Sequence, residues 1–256
     1  MTRRAPALQR SLDILELFTD GRDTVSAPEV VDELGLPRTT VHELLHALVD
    51  RQYLHRHPEI PGRYRLGIQV FRLGSAYGEG LDVPKLGQEA AREMVAECNE
   101  TSHVAILDDR HIVYVAKVDS SRAVRMVSSL GRRLPAHCTA LGKVLLAALS
   151  DDELFRRIGG SSPLEALTEH SITDPDLLLR ELTEVHRAGT AVEVCEADPD
   201  VACVGAPVRD HTGQVVAALS ISVPRHRWSQ GRRERLRALV RDGARRFSTA
   251  LGAAHP

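Results

Sequence analysis

From Gln9 to Phe18 the apolar residues Leu12, Ile14, Leu15, Leu17 and Phe18 recur at helical spacings, predicting a first helix with one buried face that stops near Asp20-Gly21. Ser26-Ala27-Pro28-Glu29 then opens a second helix. The serine hydroxyl can accept from free backbone amides, proline suits a first turn, and the glutamate three residues on completes a capping box. Val30, Val31 and Leu34 give this helix its apolar side, Gly35 ends it, Leu36 supplies an apolar plug, and Pro37 restarts the chain. In the segment from Arg38 to Val49, Val41, Leu44, Leu45 and Leu48 fall on one face and leave Arg38, Thr39, His42, Glu43 and His46 on the other. Two short apolar-polar alternations follow, Tyr53 to His57 and Arg63 to Leu66, separated by Pro58-Glu59-Ile60-Pro61-Gly62. A short helix, a glycine turn, a polar-faced helix and a basic hairpin form the pattern of a winged helix-turn-helix.

Ile68 to Tyr77 reads as a linking helix, and Gly78-Glu79-Gly80 as the bend that ends it. Beyond it helical and strand periods alternate. A helix is expected from Lys85 to Cys98, a hairpin from His103 to Val118 around Asp108-Asp109-Arg110, and a strand near Ala123 to Ser128. Helices are expected over Thr139 to Leu149 and Asp174 to Arg187, then strands over Ala202 to Val208 and Val215 to Val223, and a last helix from Arg232 to Leu251. Hairpin-joined strands with intervening helices predict an α+β unit built on an antiparallel sheet. The arginines of the last helix are read as a solvated face.

The 256 residues suit two domains. No run of about 18 apolar residues occurs, and Met1-Thr2-Arg3-Arg4-Ala5-Pro6 has no apolar stretch behind its charges, so a cytoplasmic protein without membrane contact is expected. The net charge of −2 announces no nucleic-acid partner, but its distribution does. Residues 1–37 hold four Lys/Arg against seven Asp/Glu, whereas residues 38–72 hold six arginines against Glu43, Asp50 and Glu59. Positive charge thus gathers on the polar-faced helix and the hairpin. Ser26, Arg38, Thr39, Thr40, His42, Glu43, Arg63 and Arg65 are the candidate contacts to double-stranded DNA, reaching phosphates and base edges as the helix enters the major groove.

A competing chemistry lies on that helix. His42-Glu43-Leu44-Leu45-His46 matches H-E-x-x-H, in which two histidines one turn apart bind zinc and the glutamate acts as general base of a hydrolase. Ala47 to Gln52 offers no downstream Gly or His at the expected offsets, and only about 40 residues precede the motif. A binding module without cofactor or metal is therefore favoured, with the zinc hydrolase as the alternative. No nucleophile elbow, phosphate-binding glycine loop or carboxylate-rich metal motif occurs. Cys98, Cys138, Cys195 and Cys203 are scattered in apolar surroundings and read as free thiols; redox sensing by the last three rests on their presence alone.

Tyr64-Arg65-Leu66-Gly67, the block from Gly131 to Ala147, and Ala206-Pro207-Val208 with Ala217 to Ser222 resemble the IclR family of transcription regulators, over about Leu8 to Leu251. The resemblance implies a winged helix-turn-helix over residues 1–67, a linker helix over 68–80 and a GAF-like effector-binding domain over 81–256. It further implies assembly as a homodimer or homotetramer, and a small-molecule effector, often an organic or aromatic acid. The matching effector positions are Ala140, Leu141, Glu193, Cys203, Ser220 and Ser222. A helix start at Ala140-Leu141-Gly142 offers amides to a carboxylate, and Ser220 and Ser222 share one side of a strand. Two departures stand out. Glu43 replaces the arginine common after Thr-Val-His, and the segment Glu193 to Cys203 lacks the usual Gly at 200 and Arg at 202. The first bears on base preference, since a carboxylate repels phosphate and accepts from cytosine. The second implies a changed or absent ligand.

Overall fold

A computed structural model describes residues 5–19, 21–79, 82–123, 128–158 and 163–254. The chain divides into two compact units, residues 1–80 and 81–256.

In the first unit, α1 (Pro6–Glu16) is followed by β1 (Val25–Ser26), α2 (Ala27–Leu34), α3 (Arg38–Asp50), β2 (Leu54–Arg56), β3 (Arg63–Leu66) and α4 (Ile68–Glu79). The capping box forms as expected: Ser26 Oγ accepts from the Glu29 amide, and Glu29 Oε2 accepts from the Ser26 amide at 2.8 Å. Gly35 stops α2 with φ of 62°, the left-handed region that a residue without Cβ enters at no steric cost. Ile14, Phe18, Val30, Val41, Leu44, Leu45 and Leu48 close over Val25, Leu54 and Tyr64 of the sheet to form the core. The sheet has the order β1-β3-β2 with antiparallel pairing throughout. Its two-residue first strand carries too little pattern to be read from sequence.

The second unit contains α5 (Asp82–Cys98), β4 (Thr101–Asp108), β5 (His111–Val118), β6 (Arg133–Pro135), α6 (Ala140–Leu146), α7 (Asp151–Ile158), α8 (Pro175–Ala188), β7 (Ala191–Val194), β8 (Val201–Arg209), β9 (Val215–Pro224) and α9 (Gln230–Ala250). Six strands pair antiparallel in the order β6-β5-β4-β9-β8-β7. Strand alternation splits the core in two. Leu219, Ile221, Val223, Val204 and Val208 meet Met94 of α5 and Leu236, Val240 and Phe247 of α9, while Ala218, Cys203, Ala105 and Tyr114 meet Leu141, Val144 and Leu145 of α6. α6 lies very close to the sheet: a Cβ at Gly205 would stand 2.9 Å from the Ala140 carbonyl oxygen. Only glycine lets backbone meet backbone there.

Several expectations shift. The strand expected at 123–128 falls largely outside the described residues. β6, α7 and β7 were not anticipated, and Glu193, at the start of the segment that runs to Cys203, stands on β7. The four cysteines are free, with Cys138, Cys195 and Cys203 buried. Among the described residues no helix is long and apolar enough to cross a membrane.

Candidate DNA interface and effector pocket

α3 divides as its periodicity requires. Val41, Leu44, Leu45 and Leu48 are buried, Arg38, Thr39, His42, Glu43 and His46 are exposed, and Thr40 is half-buried. The remaining DNA candidates separate into engaged and free groups. Ser26 is occupied in capping α2. Arg63 donates to Thr24 Oγ1 at 2.9 Å and to Glu29 Oε1 at 2.7 Å, which ties the hairpin back to α2. Arg65 is exposed and stands opposite His55 in the β2–β3 ladder. Glu29 serves two elements at once, and its carboxyl is held below the ordinary carboxylate range first by the Ser26 amide and then by Ser26 Oγ and Arg63, against the opposing effect of burial.

The zinc pattern does not assemble. The Nε2 atom of His46 lies 3.0 Å from an Nη of Arg56, and no group of three potential ligands occurs among the described residues. A third ligand, which a catalytic zinc requires, is not brought to the exposed histidine pair.

In the second unit Glu193, Cys203 and Ser222 stand side by side on one rung across β7, β8 and β9, and Gly205, Ser220 and His103 form the rung two residues away. The face they share looks onto the start of α6. All six effector candidates, Ala140, Leu141, Glu193, Cys203, Ser220 and Ser222, line one cavity together with Tyr114, Thr139, Val201 and the loop residues Ala197 and Asp198. The cavity is closed down to about 10 Å³, room for roughly one water molecule.

Its polar groups are buried and mostly coupled. Cys203 Sγ donates to Ser222 Oγ at 3.2 Å, Ser222 faces His103 Nδ1 at 3.4 Å, and His103 stacks on Tyr114 with ring centres 4.7 Å apart. Ser220 is different: its hydroxyl is buried and has no hydrogen-bond partner among the described residues. Glu193 is 2% exposed, and burial raises its carboxyl to about 7. The neighbouring Cys203 thiol, the hydrogen bond from the Glu196 amide and the charge of Lys143 oppose that rise, while the Glu196 carboxylate adds to it. Burial and the Lys117 charge together push His103 down to about 3, so its ring is neutral. Cys203 and Cys138 are raised by burial, the latter to about 11, which withdraws the thiolate that redox sensing needs.

Sequence reasoning missed the residue that anchors the pocket rim. Lys143 of α6 is fully buried, and its Nζ donates to Glu181 of α8 at 2.6 Å and to Glu196 of the β7–β8 loop at 2.5 Å. The Glu196 amide in turn donates to Glu193 at 3.0 Å, while Thr168 donates to the Cys195 carbonyl at 2.5 Å and Ser171 to the Glu196 carbonyl at 2.7 Å. The Gly142 amide, offered from sequence as a ligand donor, is taken by Thr139 Oγ1 at 2.9 Å, leaving Ala140 and Leu141 at the cavity wall.

A helix built to enter a groove and, in the same chain, a sheet that holds buried polar groups against a small cavity define a transcription regulator with a DNA-binding and an effector-binding domain. Residues 7–58 match the model of the IclR helix-turn-helix domain, and residues 75–249 that of the bacterial transcriptional regulator IclR C-terminal domain; the chain belongs to the IclR family. It is 33% identical to the HTH-type transcriptional repressor AllR of Escherichia coli K12, over 98% of this chain and 93% of that one. A putative transcriptional regulator from Rhodococcus sp. RHA1 has the same fold, with a TM-score of 0.80, 31% identity and coverage of 97% of this chain and 98% of the other. The inducer-binding domain of PobR from Acinetobacter, solved as a double mutant with 3-hydroxybenzoic acid, covers 64% of this chain and 97% of its own at a TM-score of 0.59 and 28% identity. These relatives are regulators, and the zinc-hydrolase alternative finds no support in them or in the engaged His46.

Proposed function

We propose that the chain works in the cytoplasm as a homo-oligomer on pseudo-palindromic operators, and that a small organic acid in the second unit sets its operator affinity. Residues 1–67 are the DNA-binding domain, 68–80 the linker helix and 81–256 the effector domain. Arg38, Thr39, Thr40, His42, Glu43 and Arg65 meet DNA, while Ser26 and Arg63 also brace α2 and the hairpin that present them. A second copy is supported by Ile68, Phe71 and Leu73 of α4, all exposed, with Phe71 71% exposed.

The observation that carries the effector reading is the unpartnered Ser220 hydroxyl at the cavity wall. Burying a hydroxyl without a partner costs about 1 to 3 kcal/mol, which a bound acceptor or donor returns. Among the described residues no Lys, Arg or His lines the cavity. An acid therefore meets the amides at the start of α6 with Glu193 in its protonated form, donating rather than repelling. The family relative with 3-hydroxybenzoic acid supports an acid of this chemical class, for which the cavity must open beyond the room for one water.

The test is a thermal-shift screen of small hydroxy and aromatic acids, 3-hydroxybenzoate included, against wild type and Ser220→Ala. Unliganded S220A should be as stable as wild type or slightly more so, yet lose the shift. If S220A responds to every acid that wild type does, or no acid shifts wild type, the pocket reading is wrong.

A further inference from the structure

His46 stands on the exposed face of α3, one turn beyond His42, with its Nε2 against the guanidinium of Arg56 at 3.0 Å. A guanidinium has donors only, so Nε2 must accept, and the ring is neutral with its proton on Nδ1. Arg56 ends β2 opposite Tyr64, two residues along from Leu54 opposite Leu66. Strand alternation therefore sends Arg56 out on the side of buried Leu54 and Tyr64, the side that packs on α3. Its side chain passes the rim of the core and emerges, exposed, beside the third turn of α3. The other two hairpin arginines are placed differently, Arg63 on Thr24 and Glu29 and Arg65 on the opposite side of the ladder.

We infer that Arg56, steadied by His46, grips a DNA phosphate beside the groove that α3 enters; Arg56 is the binding residue and His46 its positioning residue. A free arginine loses rotamer entropy when fixed, and a neutral imidazole that holds one Nη in advance removes part of that loss without consuming the other donors. Hydrogen bonding to Arg56 is thus the work of the second histidine in the zinc-like pattern. The inference rests on the reading of α3 as the DNA-facing helix.

The experiment is fluorescence anisotropy of the full chain with two duplexes of unrelated sequence, titrated over a range of salt. For R56A the slope of log K against log salt should become shallower by about 0.9 for each chain bound, equally on both duplexes. H46L should weaken binding in the same direction by less, H46Q should restore it through its amide oxygen, and H46L/R56A should match R56A alone. Thermal midpoints of all four should equal that of wild type. An unchanged slope in R56A, additive losses in the double variant, or an effect confined to one duplex overturns the assignment. If wild type binds neither duplex, the reading of α3 falls and this inference with it; wild-type binding with an indifferent R56A removes this inference alone.

Discussion

α3 and α6 follow opposite rules. α3 buries one stripe of leucine and valine and exposes Arg38, Thr39, His42, Glu43 and His46, whereas every residue of α6, Lys143 included, is buried. In the first unit the chemistry lies on the surface and the core is apolar apart from Tyr64. In the second the chemistry is inside the core: Glu193, Ser220, Ser222, His103 and Lys143 are all buried. A surface site can change without disturbing the fold that presents it, while a site of buried polar groups is part of what stabilises or strains its own domain.

Three measurements would break or sharpen this contrast. The largest effect is expected at Lys143. K143M leaves Glu196 buried without its cation, and removing one partner of a buried ion pair costs about 3 to 5 kcal/mol, to be measured by urea denaturation. A loss below about 1 kcal/mol, the range of an exposed ion pair, would show that the amine does not anchor the core.

Next is Glu193, whose carboxyl rises from its ordinary 4.5 to about 7. The folded chain then holds a proton that the unfolded chain releases, so this group's contribution is fully present below about 4.5 and is lost as pH climbs through about 7. E193Q lacks that loss and should gain on wild type by roughly 3 kcal/mol between pH 4 and pH 8. Parallel stability curves for the two proteins would remove the burial argument, and with it the protonated form on which acid binding depends.

The smallest effect on stability belongs to the surface helix. H42A should leave the unfolding free energy within about 0.5 kcal/mol of wild type while lowering DNA affinity. A larger loss of stability would place His42 in the packing of the first unit rather than on its working face.

The contrast also sets how much could be read from the chain. α2 and α3 follow from the capping box, Gly35 and the leucine spacing, all of which act within a few residues. β7 escaped because Glu193 interrupts its apolar run and its four residues leave little period to detect. Lys143 could not be recognised as buried, since a lysine's default is solvent and its partner Glu196 lies 53 residues away. The six effector positions came from family likeness. What brings them together is the ladder register of β7, β8 and β9, which no local pattern reveals.

The clasp on Glu196 has a consequence for how such a sensor diversifies. The amine of Lys143 and the hydroxyl of Ser171 hold Glu196 and the hydroxyl of Thr168 holds Cys195, while the side chains of the stretch just after, Ala197 to Asp200, are half-buried or exposed and border the cavity at Ala197 and Asp198. On the pocket reading proposed above, the side chains of that stretch can change and retune which metabolite is admitted without loosening the clasp on Glu196. Chemical taste and architectural integrity are inherited separately, a few residues apart on the same loop.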